Sequence, residues 1–215
     1  AILSMSTFES GTRAEESTRK AHKTTRDAAT NPFINLYENV LLSTENWQDY
    51  DVVGISIVGI SQIIPGLTLA RMIKEKYPHL HITLGGPIFS VNAGQLIGHP
   101  EFFDDFCHSV VTFEGEEPMH RLLSALKAGD SLSTVPNLLH LDGREVVQNK
   151  ERVELRFEEL PHPNFDGLPM DKYLSPYPIL PVLQSRGCYW GKCTFCTHSF
   201  VYGHRYGKQK TQAMV

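Results

Sequence analysis

The chain has 215 residues, 41% hydrophobic and 20% charged, which is enough for one complete domain and part of a second. Its net charge of −4 leaves no basic stripe to track a phosphate backbone and nothing to draw it to an anionic membrane, so neither nucleic acid nor membrane is an expected partner. No apolar run approaches the ~20 residues that cross a bilayer, and Ala1 to Thr7 lacks a basic leader, so a cytoplasmic location is expected by default.

Along the chain, Ala1 to Met5 reads as one possible strand, and residues 9–31 are polar without an apolar stripe, an exposed helix or loose excursion. Three β-branched runs then recur at a nearly constant interval: Val52 to Ile57, His81 to Leu84, and Ser109 to Phe113. Such continuous apolar runs predict buried parallel strands. Between the first two, Ile63, Leu67, Ala70, Ile73 and Tyr77 keep helical spacing until Pro78. After the third, Met119, Leu122, Leu123 and Leu126 repeat a helical face that Gly129 closes. Alternation of this kind predicts an α/β fold, a Rossmann-like doubly wound parallel sheet.

From Asn137 the pattern changes. Leu138 to Leu141, Asp142-Gly143 and Arg144 to Gln148 predict a β-hairpin with a type I′ turn, read as a connector and not another βα unit. Pro161, Pro163, Pro169, Pro176, Pro178 and Pro181 then impose extended backbone. The expected divisions are residues 1–130 for the Rossmann-like domain, 131–180 for the connector, and 181–215 for the start of a second domain. A start without methionine and a stop soon after the richest motif suggest an N-terminal fragment of a longer protein.

Four cysteines occur, with three in nine residues, an arrangement that suits metal better than a disulfide framework. Cys188, Cys193 and Cys196 are spaced C-x4-C-x2-C, and soft thiolates in such spacing select an iron–sulfur cluster or zinc. Three ligands leave one position open on a cluster, whereas a structural zinc takes a fourth ligand, for which His198 is placed. A dithiol redox pair, Cys193 with Cys196, is a third reading. Cys107 reads as a small buried hydrophobe.

The run Ser185-Arg186-Gly187-Cys188-Tyr189-Trp190-Gly191-Lys192-Cys193-Thr194-Phe195-Cys196 resembles the cluster loop of radical SAM enzymes that carry an N-terminal cobalamin-binding domain. The first cysteine interval is one residue longer than the commonest family pattern. The resemblance extends back through Val53 to Ile57, Leu84-Gly85-Gly86-Pro87, and Phe113-Glu114-Gly115-Glu116-Glu117, which look like strand-end segments of such domains. It implies a [4Fe-4S] cluster on Cys188, Cys193 and Cys196, with Phe195 beside the adenine of S-adenosylmethionine. Reductive cleavage of that cofactor to a 5′-deoxyadenosyl radical would follow.

The same resemblance implies cobalamin contacts from Ser56, Ile57, Gly85, Gly86, Pro87, Glu114, Gly115 and Glu116, at the carboxyl ends of the strands where such folds bind ligands. Residues 181–215 would begin a truncated radical SAM barrel, so this fragment alone is expected to be inactive, and the full enzyme would act on a small-molecule or peptide substrate, as a methyltransferase in one form. It would draw electrons from a donor such as flavodoxin or ferredoxin. There is no D-x-H-x-x-G segment, so no histidine is assigned to cobalt, and retention or loss of cobalamin both remain open. No side chain is assigned a catalytic role, Glu114, Glu116 and Glu117 being better placed as helix N-terminal carboxylates. The alternative is a non-catalytic cobalamin-binding module with a Cys3His zinc site.

Overall fold

A computed structural model of the chain describes residues 2–3, 8–9, 17–161, 163–202 and 205–208. They divide into two compact units, 1–153 and 154–215. The first begins with a short ribbon, β1 (Ile2–Leu3) paired antiparallel with β2 (Phe8–Glu9), which is separate from the main sheet. Helix α1 (Thr18–Thr24) forms within the polar excursion and buries Ala21 and Thr24. Asn31 then caps α2 (Pro32–Leu36), its side chain accepting from the Phe33 N–H, and the helix runs through a π turn into α3 (Leu42–Thr44).

The main sheet starts at β3 (Val52–Ser56), followed by α4 (Ile63–Lys76), β4 (His81–Gly85), α5 (Pro87–Leu96), α6 (Pro100–Phe106), β5 (Ser109–Val111) and α7 (Glu116–Ala128). Strands β3, β4 and β5 are parallel neighbours in that order, as the β-branched runs predict. The hairpin departs from expectation. Its strands β6 (Leu138–Asp142) and β7 (Glu145–Gln148) continue the sheet antiparallel from β5, giving the order β3-β4-β5-β6-β7. The sheet is therefore α/β and mixed, not wholly parallel.

The reason lies in burial: Leu138 and Leu139 are both fully buried, so β6 has an apolar residue for each face and can occupy an interior position. The turn also differs, because the loop is Gly143-Arg144 and only Gly143 has positive φ, 62°. That is the dihedral signature of a type II′ turn, with glycine first.

Strand alternation sorts the core into two faces. Ile82, Leu84, Val110 and Leu139 face one side with α4, α5 and α6, while Val111 and Leu138 face the other with Leu122 and Ala125 of α7. Helix α7 ends at Gly129, which has φ 72°. Helix α6 ends on Lys74 of α4, whose Nζ donates to the carbonyls of Phe103 (2.5 Å), Asp104 (2.9 Å) and Cys107 (3.2 Å). Cys107 is fully buried, and burial pushes its thiol well above the usual range.

In the second unit, β8 (Ser185–Gly187) pairs antiparallel with β9 (Tyr206–Lys208), and α8 spans His198–Val201. Arg205 anchors this ribbon by donating to the Leu155 carbonyl (3.1 Å) and pairing with Glu154 (2.9 Å). Gly187 has φ 85°, and a Cβ there would lie 1.8 Å from the Arg205 carbonyl oxygen, so the ribbon admits only glycine.

Candidate functional site at the carboxyl ends of the strands

Parallel strands leave their carboxyl ends at one edge, and this edge gathers Ser56, Ile57, Gly85, Gly86, Pro87, Glu114, Gly115 and Glu116. Ile57 is buried, 1% exposed, and its N–H donates to the Gly85 carbonyl at 2.8 Å. Gly86 turns away at φ 112°, and a Cβ there would lie 2.3 Å from the Ile57 carbonyl oxygen. Only glycine lets the chain leave β4 this close to β3, and Pro87 then starts α5 at its first turn. The close backbone approach at Gly86 is thus to the neighbouring strand.

Beside these turns one face of β3 is exposed among the described residues. Val52, Gly54 and Ser56 project to the same side as Val111 and α7, yet Gly54 and Ser56 stay exposed. Among the described residues, a Cβ on Gly54 would meet just the Thr83 Cγ2 at 3.8 Å. Next to this shallow strip the loop after β3 holds Val58 and Ile60 outward, 63% and 65% exposed, while the Val58 and Gly59 N–H groups donate to Gln62 Oε1 at 2.8 and 3.3 Å. Small residues below and apolar side chains at the rim suit a broad, flat, partly apolar ligand.

The third turn is held more tightly. Phe113 has φ 61°, rare for a bulky side chain, and its N–H donates to Ser90 Oγ at 2.6 Å. Ser90 is itself buried in the first turns of α5, so the β4–α5 and β5–α7 loops are tied through one hydroxyl. Asn137, at φ 54°, accepts from the Thr112 N–H (2.8 Å) and Oγ1 (3.0 Å) through its carbonyl. Its side chain donates to the carbonyls of Glu114 (3.3 Å) and Val153 (2.9 Å).

Arg152 lies over the Phe113 ring, its Cζ 3.8 Å from the centroid. Glu114 is buried, 6% exposed, and Glu116 and Glu117 occupy the first turn of α7, where the helix dipole favours carboxylates. Sequence reasoning missed Ser90, Gln62, Asn137 and the strain at Phe113. Pro136-Asn137 carried a turn signal; nothing in the pattern marked Ser90.

The opposite, amino ends of the strands are polar but closed. His81 Nε2 is 2.9 Å from Ser109 Oγ, which donates to Thr83 Oγ1 at 3.0 Å, and His108 Nδ1 accepts from the Ile82 N–H at 2.9 Å. The two rings lie 5.1 Å apart, and burial holds both imidazoles down at about 4. His79 touches the Trp47 carbonyl and His99 pairs with Glu101, so these histidines serve local structure.

In the second unit the three cysteines lie on the loop after β8: Cys188 is half-buried, Cys193 and Cys196 are exposed. The Gly191 N–H points to Cys188 Sγ at 3.5 Å. Among the described residues no group of three or more His, Cys, Asp or Glu side chains is arranged to hold a metal. His198 packs on Tyr202, with ring centroids 4.7 Å apart, and Phe195 is 89% exposed.

No family model matches the chain. An uncharacterized methyltransferase from Pyrococcus horikoshii is 28% identical over 169 residues, covering 78% of this chain and 36% of that protein. The fold is similar to part of the radical S-adenosylmethionine methyltransferase TsrM from Kitasatospora setae, solved with cobalamin and a [4Fe-4S] cluster bound. The TM-score is 0.51 at 18% identity, over 84% of this chain and 36% of that one. The same enzyme with tryptophan and a SAM analogue gives a TM-score of 0.50, also at 18% identity, covering 86% and 36%. The chain thus spans about a third of the length of the proteins it matches. No helix among the described residues is long and apolar enough to cross a membrane.

Proposed function

We propose that this chain is part of a cobalamin-dependent radical SAM methyltransferase, with a corrinoid held at the carboxyl ends of β3, β4 and β5. The observation that carries this reading is the open strip beside Gly54 and Ser56, edged by the Gly85-Gly86 turn and followed in the same chain by a three-cysteine loop. The 28% identity to a methyltransferase supports the group-transfer part.

On this reading Gly85 keeps a side chain out of the corrinoid's path, Gly86 and Pro87 shape the turn beside it, and Ser56 forms the floor, with the Ile57 side chain packed away against Gly66 of α4. Gly115 and Glu116 meet the ligand's polar rim, while Glu114 fixes the turn beside it. Without a D-x-H-x-x-G segment, the site offers cobalt no imidazole from this pattern. Cys188, Cys193 and Cys196 would hold the cluster, their soft thiolates fitting iron, and Phe195 would stack beside the adenine of S-adenosylmethionine. A cluster so bound supplies an open iron position and one electron for reductive cleavage of that cofactor. Flavodoxin or ferredoxin is the proposed donor, a small molecule or peptide the proposed substrate, and a barrel beginning near residue 181 the proposed scaffold for the reaction.

Anaerobic reconstitution with iron and sulfide tests the second half: about four irons with matching sulfide and absorption near 400 nm are expected, and Cys188→Ala loses the iron. One zinc without sulfide would overturn it in favour of a structural site.

A further inference from the structure

No Asp or Glu follows Asp171, whereas Lys172, Arg186, Lys192, Arg205, Lys208 and Lys210 do, so residues 172–215 carry charged side chains of one sign in a chain of net charge −4. Lysines scattered over a surface are ordinary; here the second unit sets two of them among aromatic rings beside the cysteine loop. Strands β8 and β9 pair Gly187 with Tyr206 and Ser185 with Lys208, so alternation puts Tyr206 and Lys208 on one face of the ribbon and Arg186 and Gly207 on the other. The Gly207 face is occupied: a Cβ there would lie 2.7 Å from the Phe157 Cβ, and Arg186 Cζ lies 5.4 Å from the Phe157 centroid. Tyr206 and Lys208, on the opposite face, are exposed.

The cysteine loop extends this face. Tyr189, next to Cys188, meets the Tyr206 ring edge-on with centroids 6.0 Å apart, and Lys192, next to Cys193, holds its ammonium 5.7 Å from the Trp190 centroid. Tyr189, Trp190 and Lys192 are all exposed. Arg205 is neutralised by Glu154 and Arg186 is turned to Phe157, so Lys192 and Lys208 set the charge here among the described residues. Exposed rings flanked by ammonium groups complement an acidic protein surface, the rings excluding water and the lysines fixing orientation and speeding encounter. A nucleic-acid strand shares the negative charge, but its phosphates call for a stripe of cations, and two lysines do not make one.

We propose that Tyr189, Trp190, Lys192, Tyr206 and Lys208 form the docking face for an acidic electron-donor protein of the flavodoxin or ferredoxin kind. This rests on the cluster reading of the adjoining loop, where Cys193 and Cys196 are exposed.

The test is equilibrium binding of an oxidised flavodoxin to the full chain before any iron is loaded, at low salt and at about 0.3 M salt. Affinity is expected to fall about tenfold between the two conditions. The double variant Lys192→Glu, Lys208→Glu loses about tenfold or more at low salt, whereas Lys192→Arg, Lys208→Arg keeps wild-type affinity and Lys127→Glu on α7 changes it less than about twofold. Both lysines are exposed, so circular dichroism and melting of the variants match the wild type. Unchanged binding in the charge-reversed variant, or no binding by the wild type at low salt, would overturn the proposal. So would a polyuridine strand that binds more tightly than the flavodoxin and is lost in the same variant. Iron loading keeps the two readings apart: a chain that takes up about four irons yet ignores flavodoxin sinks the docking face alone. A chain that captures flavodoxin but takes up no iron sinks the cluster, and the electron-donor role with it.

Discussion

Single residues decide whether this edge can exist. A methyl group on Gly86 would sit 2.3 Å from the Ile57 carbonyl oxygen at a φ of 112°, so Gly86→Ala must part β3 from β4 or unfold the turn. The expected cost is about 3 kcal/mol or more, read from the urea midpoint. Lys74 makes a second case: its ammonium serves three carbonyls at the end of α6, of which Phe103's also accepts from the Cys107 N–H, so Lys74→Met takes the side-chain donor from Asp104 and Cys107. A loss of about 1–3 kcal/mol is expected, with faster amide exchange in α6 as its local signature. Such residues divide by how they act. The β-branched strand runs and the cysteine spacing were legible because they repeat or cluster in sequence. Ser90 and the φ of Phe113 were not, since one hydroxyl meeting one amide 23 positions away leaves no periodic trace.

Among the elements, β4 and β5 set the pH response. His81 and His108 sit at their amino ends with values held near 4 by burial, against about 6.5 in the unfolded chain. The folded state thus prefers both neutral. Their contribution is fully present above pH 6.5, and it is lost as the pH falls from 6.5 towards 4, where the unfolded chain binds more protons. A decline on the order of 2–3 kcal/mol for the pair is expected over that window, allowing for solvent screening at half-exposed rings. Equilibrium unfolding of the wild type and His81→Gln at pH 7 and 4.5 reads it, the variant showing the flatter profile. The hairpin marks the limit of local reading at this scale. Its strands were evident from Leu138 to Gln148, but their pairing onto β5 depends on a neighbour nearly thirty positions earlier, which alternation cannot specify.

At the scale of the whole molecule, the apolar cores that involve the sheet lie within residues 1–153, whereas the second unit buries little beyond Phe157 and Val201 among its described residues. Residues 1–153 are therefore expected to unfold cooperatively when expressed alone, and residues 154–215 alone to show no cooperative melt by circular dichroism. Leu174, Tyr177, Ile179 and Leu183 are 96%, 76%, 68% and 62% exposed, more apolar surface than so short a segment carries comfortably in water. The central claim is that one chain carries both a corrinoid site and a cluster loop. Its most direct test is to count corrinoid, iron and sulfide on the same purified chain after anaerobic loading. The account predicts about one corrinoid with four irons and four sulfides per chain, the corrinoid retained and the iron lost in a Cys188→Ala, Cys193→Ala, Cys196→Ala triple variant. A chain that takes up neither group, or whose iron survives loss of all three cysteines, would contradict it.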